Sequence, residues 1–192
     1  TSRDYFKVIN KTKNNYVGIV ASLNNDFLWK YVFTKELYNN LKDYYKTKNF
    51  FIRNLPIITY VYKGDKNGAQ NYHIDYGQRQ TSLMINLNNL NQDSTFMEYI
   101  ATSNNSYYFT HEDRLSKSFK KRISKHRDCK ILNTVSPKDT GFLFDAGNGI
   151  HRQVSGEKRV SLHLNFCNNF CHTSWDRNWV PNENLNDYFF ET

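Results

Sequence analysis

Cysteine is scarce in this chain, with three thiols in 192 residues. An odd and small number excludes the disulfide-stapled scaffolds of secreted domains. Cys167, Cys171 and His172 lie close together, but no fourth ligand stands at zinc-type spacing, so the thiols are read as reduced and structural. Long apolar runs are missing too. Nothing approaches the about 20 residues that span a bilayer, and the start, TSRDYFKVINK, has no apolar signal-peptide core. The expectation is a cytoplasmic protein without membrane association. No internal repeat is present, and the asparagine-rich stretches are interleaved with aromatic and aliphatic residues, which argues against low-complexity disorder.

Positive charge is in excess, at a formal net +8. A basic surface concentrates anions, so it suits an anionic substrate or partner without naming one. The length fits one domain with a sizeable core, spanning 1–192.

Residues 1–23 are weakly patterned, with a short apolar run from Tyr16 to Leu23 that suits an edge strand. Asp26 can cap a first helix, and a second helical pattern runs from Thr34 to about Lys48 with Leu37, Leu41 and Tyr44 or Tyr45 on one side. This helical support covers about 24–50, and its stripe of Phe27, Tyr31, Leu37 and Leu41 is read as core. From Pro56 the period changes to that of strands: PIITYVYKG, QNYHID, and TSLMINLNN, in which Leu83, Ile85 and Leu87 alternate with Ser82, Met84, Asn86 and Asn88. STFMEYIAT and SYYFT continue less cleanly. The basic run at about 111–130 carries Leu115, Phe119 and Ile123 at four-residue steps, as a helical insertion with a solvated face would. Strands resume at Ile131. The tail, 168–192, carries Trp175 and Trp179 and is expected to fold back on the body.

Two stretches carry the chemistry. In NYHIDYG, His73 and Asp75 would share one face of a strand while Ile74 points away. In GFLFDAGNGIHRQVSGEKRVSLHLNF, His151 ends an apolar run, and Arg159, Ser161, His163 and Asn165 then alternate with Val160, Leu162, Leu164 and Phe166. The apolar row must be buried, which puts the helices of about 26–48 over the outer face of its sheet. Two imidazoles and one carboxylate, with open positions on one side, form the ligand set of non-haem Fe(II) oxygenases. Arg159 follows His151 by eight residues, and a hairpin through Gly156 would put both on neighbouring strands. A guanidinium takes a carboxylate through two parallel hydrogen bonds.

Across residues 56–166 these motifs resemble the Fe(II)/2-oxoglutarate-dependent oxygenases, in particular the prolyl-hydroxylase-like and phytanoyl-CoA-hydroxylase-like branches. The resemblance implies a mainly β fold, a double-stranded β-helix or cupin-like jelly-roll barrel with N-terminal helices on its larger sheet. It implies that His73, Asp75 and His151 hold Fe(II), that Arg159 and Ser161 anchor 2-oxoglutarate, and that O2 is the co-reactant, with release of succinate and CO2. By alternation Asn86 and Met84 point inward and are further candidates for lining the site, and His163, on the inward face of the Arg159 strand, is either a contact to cosubstrate or substrate or a structural hydrogen-bonded histidine. Relatives that halogenate replace the metal carboxylate with a small residue, so Asp75 favours hydroxylation over halogenation, while desaturation, ring closure or demethylation would use the same residues. The glycine-rich stretch that many relatives carry before the strand matching FMEYIA is replaced here by NQDST. The implied substrate is a small molecule or a carrier- or protein-bound group.

Two other functions fit parts of the pattern. A cupin-like metal barrel, an isomerase or a binding module, would use the triad but needs no buried arginine beside it. A nucleic-acid binder would use the basic run from Arg114 to Lys130, yet no base-reading motif accompanies it. His111 and His126, in that run, are expected at the surface.

Overall fold

The computed structural model describes residues 6–11, 16–21, 31–48, 50–52, 56–61, 70, 72–75, 80–103 and 130–167. They form one helix and ten strands: β1 (Phe6–Lys11), β2 (Tyr16–Ala21), α1 (Lys35–Tyr45), β3 (Phe51–Ile52), β4 (Ile57–Val61), β5 (Gln80–Asn86), β6 (Phe96–Ile100), β7 (Ile131–Asn133), β8 (Gly141–Asp145), β9 (His151–Val154) and β10 (Arg159–Cys167). The expected basic insertion at about 111–130, the strand at SYYFT, the tail from 168 and Cys171 with His172 lie outside the described residues.

The alternating stretch after Lys158 becomes β10, the centre of the larger sheet. It pairs antiparallel with β4 on one edge and β5 on the other, and the sheet runs β1-β2-β4-β10-β5-β8, with β3 beside the far end of β10. The run from Tyr16 is therefore an inner strand rather than the expected edge. β1 pairs along its outer side, so the sheet extends N-terminally beyond the expected core of 56–166. The smaller sheet is antiparallel in the order β7-β6-β9. Phe144 of β8 stacks edge-on to His151 of β9 at 5.5 Å and to Tyr99 of β6 at 5.8 Å, so the two sheets touch at these rings. Two antiparallel sheets, with little helix among the described residues, are consistent with a cupin-like fold.

Burial follows the alternation. Leu162, Leu164 and Phe166 of β10 pack with Leu83 of β5 against Leu37, Tyr38 and Leu41 of α1. The helix starts where Thr34 accepts a hydrogen bond from the Leu37 backbone N–H at 3.2 Å, and ends at Lys46 in the left-handed region (φ 58°). Its last residue pins it down: Tyr45 Oη donates to the Phe166 carbonyl at 2.6 Å and accepts from the Thr81 N–H at 3.0 Å. The expected helical cover of the larger sheet is thus present over 35–45. Phe27 lies outside the described residues, and Tyr31 departs from the expected stripe, being 60% exposed.

Candidate metal centre

QNYHID does not form the expected continuous strand. His73 exchanges both backbone hydrogen bonds with His151, at 2.9 and 3.0 Å, as a single antiparallel bridge on the free edge of β9. The chain then leaves β9, because the Asp75 N–H goes instead to the carbonyl of Ala146, just after β8, at 2.9 Å. The alternation nonetheless holds: Ile74 packs with Tyr72, Ile100 and Ile150 behind the smaller sheet, while His73 and Asp75 turn the other way.

The result is a compact donor set. Asp75 Oδ1 lies 3.8 Å from His73 Nε2 and 3.5 Å from His151 Nε2, and one ligand atom from each of the three falls within 4.8 Å of the others. Ligands at right angles around a transition metal, each about 2.1 Å from it, sit about 3 Å apart. The two pairs are within an ångström of that spacing, and the residues fit a divalent metal. His151 Nδ1 lies 3.0 Å from the Gly149 carbonyl. A carbonyl only accepts, so Nδ1 carries the proton and Nε2 keeps its lone pair for a metal. Gly149 is required here, since a Cβ would collide with the Tyr99 ring and the Asp145 carbonyl. Burial, helped by the charge of Asp145, pushes the Tyr99 phenol up to about 12, so it stays protonated beside the site.

Arg159 stands at the start of β10 and is 6% exposed. The hairpin expected through Gly156 does not form. β4 and β5 occupy both edges of β10, and β9 pairs with β6, far earlier in the chain. The chain between β9 and β10 crosses from the smaller sheet to the larger, held by 93–95: Glu157 N–H donates to the Asp93 carbonyl, Thr95 N–H to the Glu157 carbonyl, and Gly156 N–H to Thr95 Oγ1. His151 and Arg159 therefore face each other's sheets across the interior instead of lying side by side.

Gln153, two residues after His151 and so on its face of β9, spans this gap. Arg159 Nη2 donates to Gln153 Oε1 at 3.0 Å. Ser161 is fully buried, its hydroxyl 3.0 Å from Thr59 Oγ1 and 2.8 Å from His163 Nε2. His163 senses both ends of the interior. Burial first, then the Arg159 charge, lower its pKa from 6.5 to about 3, while Asp75 opposes the shift. Asn86, opposite Ser161 in the register, is fully buried and gives its Nδ2 to the Thr134 carbonyl at 3.0 Å and Ser136 Oγ at 2.9 Å. Met84 is buried opposite His163. His111 and His126 lie outside the described residues.

Gln153, Gln80 and Thr59 are site residues that the motifs missed. Gln80 Nε2 donates to Asp75 Oδ2 at 3.3 Å. The signal was available for both glutamines: Gln153 is two residues along from His151, and Gln80 continues the inward row of Ser82, Met84 and Asn86.

No family model matches the chain, and no curated protein matches it in sequence. Solved structures do share its fold. The non-haem α-ketoglutarate-dependent carbocyclase SnoK from nogalamycin biosynthesis aligns at TM-score 0.50 and 9% identity, over 84% of this chain and 67% of its own. The epimerase SnoN, in complex with Fe3+, α-ketoglutarate and nogalamycin RO, aligns at 0.52 and 9%, over 87% and 69%. HygX from Streptomyces hygroscopicus, with nickel and 2-oxoglutarate bound, aligns at 0.53 and 10%, over 94% and 85%. At such identities the likeness is one of fold; of these three, the SnoN and HygX structures hold a metal and 2-oxoglutarate.

Proposed function

We propose that this chain is an Fe(II)- and 2-oxoglutarate-dependent oxygenase that hydroxylates an unactivated C–H bond. The observation that carries this reading is a His-Asp-His donor set sharing one interior with a buried arginine. His151 and Gln153 are two residues apart on one strand, about 7 Å, and a five-carbon diacid bridges such a span. His73, Asp75 and His151 would hold the metal, a set of three protein ligands that leaves coordination positions for other ligands. When bound, iron with 2-oxoglutarate would activate O2, which is the oxidant: one oxygen atom would end in the substrate hydroxyl and the other in succinate, with CO2 released.

The chain's own residues bind and orient. Arg159 takes the far carboxylate of the diacid through its planar fork, and its burial strengthens that contact by excluding water. Gln153 holds the guanidinium beforehand. Ser161 stands on the same face, its hydroxyl already engaged by Thr59 and His163. His163 is neutral at pH 7 and so adds a hydrogen-bonding group without a second positive charge. A plain metal barrel has no use for a desolvated guanidinium, and this favours the oxygenase over an isomerase or binding module. We take the fold to close as a double-stranded β-helix. The substrate is a small molecule or a carrier- or protein-bound group, suited to a basic surface. A nucleic-acid substrate is not favoured, for want of a base-reading motif.

The test is succinate formation from 2-oxoglutarate and O2 across a substrate panel, above the uncoupled background. Wild type turns over in an Fe(II)-dependent manner, His151→Ala does not, and His111→Ala stays close to wild type. Equal succinate formation by wild type and His151→Ala with added iron overturns the assignment.

A further inference from the structure

Gln80 is 2% exposed, and its main chain is locked. Its carbonyl accepts from the Gly147 N–H at 3.0 Å and its Cα lies opposite Cys167 in the β5–β10 ladder. The side chain therefore leaves the sheet from a fixed point, and its amide ends on Asp75 Oδ2 at 3.3 Å. A carboxylate can only accept, so the amide nitrogen faces Asp75 and the oxygen faces away. That oxygen, Gln80 Oε1, is buried and has no hydrogen-bond partner among the described residues. Packing alone would favour an apolar side chain of the same length, with no buried polar atom to satisfy.

The two oxygens of Asp75 thus have separate partners. Oδ1 lies nearest the imidazoles, 3.8 Å from His73 Nε2 and 3.5 Å from His151 Nε2, while Oδ2 is engaged by Gln80. We propose that Gln80 is a positioning residue that keeps Asp75 a one-oxygen metal ligand and so preserves an open coordination position. Carboxylates bind metals through one oxygen or two. An oxygen held in a hydrogen bond from a fixed amide is withheld from the metal, as hydrogen-bonded neighbours of metal ligands commonly orient them. With the amide removed, Asp75 can rotate its second oxygen onto the metal and fill a position that an incoming ligand needs. The inference rests on the metal-site part of the proposed function and not on 2-oxoglutarate.

The experiment uses the full chain loaded with Co(II), whose visible absorption reports coordination number, and azide as a probe of open positions. Gln80→Met keeps length and volume without the hydrogen bond, and Gln80→Ala serves as a second variant should Met disturb folding. Azide affinity falls about tenfold or more in the variants, with weaker absorption as the coordination number rises, while Co(II) affinity falls by less. Unchanged azide affinity in both variants overturns the proposal, as does a loss of Co(II) affinity as large as the loss for azide. Wild-type Co(II) protein that binds azide but not 2-oxoglutarate removes the oxygenase reading and leaves Gln80's role standing. No Co(II) binding at all removes both.

Discussion

Arg159 and Gln153 are six positions apart in the chain, yet they meet across the interior, Arg159 Nη2 donating to Gln153 Oε1 at 3.0 Å. The contact ties the first residue of β10 to the smaller sheet at the point where the chain passes between sheets. Gln153→Leu keeps the volume and removes the acceptor. A hydrogen bond to a buried charged group contributes about 1.5–3 kcal/mol, so the urea midpoint should fall accordingly. A midpoint equal to that of wild type would show the contact to be incidental.

Leu41 of α1 is fully buried against the outer face of the larger sheet, in one cluster with Leu164 and Phe166. Leu41→Ala should destabilise by about 2–5 kcal/mol through lost burial and the cavity left behind. The donor set lies on the opposite face of that sheet, so metal affinity, measured well below the melting temperature, should be unchanged. A large drop in metal affinity without loss of stability would contradict this division of the two faces.

The alternation that buries Leu162, Leu164 and Phe166 on one side of β10 was legible because a strand with one apolar face has only one way to sit against a helix. The same holds for Leu83 and Ile85, and for the opposed directions of Ile74 and its two neighbours. The passage from β9 to β10 was not legible. Four residues around Gly156 suit a hairpin as well as a crossover, and the choice is made by β6, whose pairing with β9 is non-local. Gly156 itself shows the reason: a Cβ there would strike the backbone of Asp93 and Ser94. Alternation could put Gln80 and Gln153 on inward rows, but their partners were hidden, since Asp75 and Arg159 reach them from other parts of the chain.

Gly149 precedes the metal-side histidine by two residues and has the Tyr99 ring directly over it. Gly149→Ala should cost about 1–3 kcal/mol as an overpacked position, and it should also weaken metal binding, because the Gly149 carbonyl fixes the His151 tautomer. Calorimetric metal titration beside thermal melting checks both. Stability and affinity both matching wild type would contradict the close approach.

His163 links stability to pH. Its pKa falls from 6.5 to about 3 on folding, chiefly through burial and then through the Arg159 charge. Between those values the unfolded chain binds the proton and the folded one does not, so stability falls as pH drops from 6.5 towards 3 and is flat with respect to this group above 6.5. The apo protein should lose more stability between pH 7 and pH 5 than apo His163→Gln, which has nothing to titrate there. Parallel losses in the two proteins, by urea unfolding at each pH, would contradict the shift.

The most direct measurement is anaerobic titration of the Fe(II)-loaded protein with 2-oxoglutarate, following the metal-to-ligand charge-transfer absorption in wild type, Arg159→Ala and Arg159→Lys. With Arg159 holding the far carboxylate, wild type develops the band. Arg159→Ala should keep its iron and lose about 2–5 kcal/mol of cosubstrate binding, roughly thirty-fold to several thousand-fold in affinity. Arg159→Lys should recover part of it, keeping the charge but not the two-pronged geometry. No band in the iron-loaded wild type, or one affinity for all three proteins, would contradict the oxygenase reading.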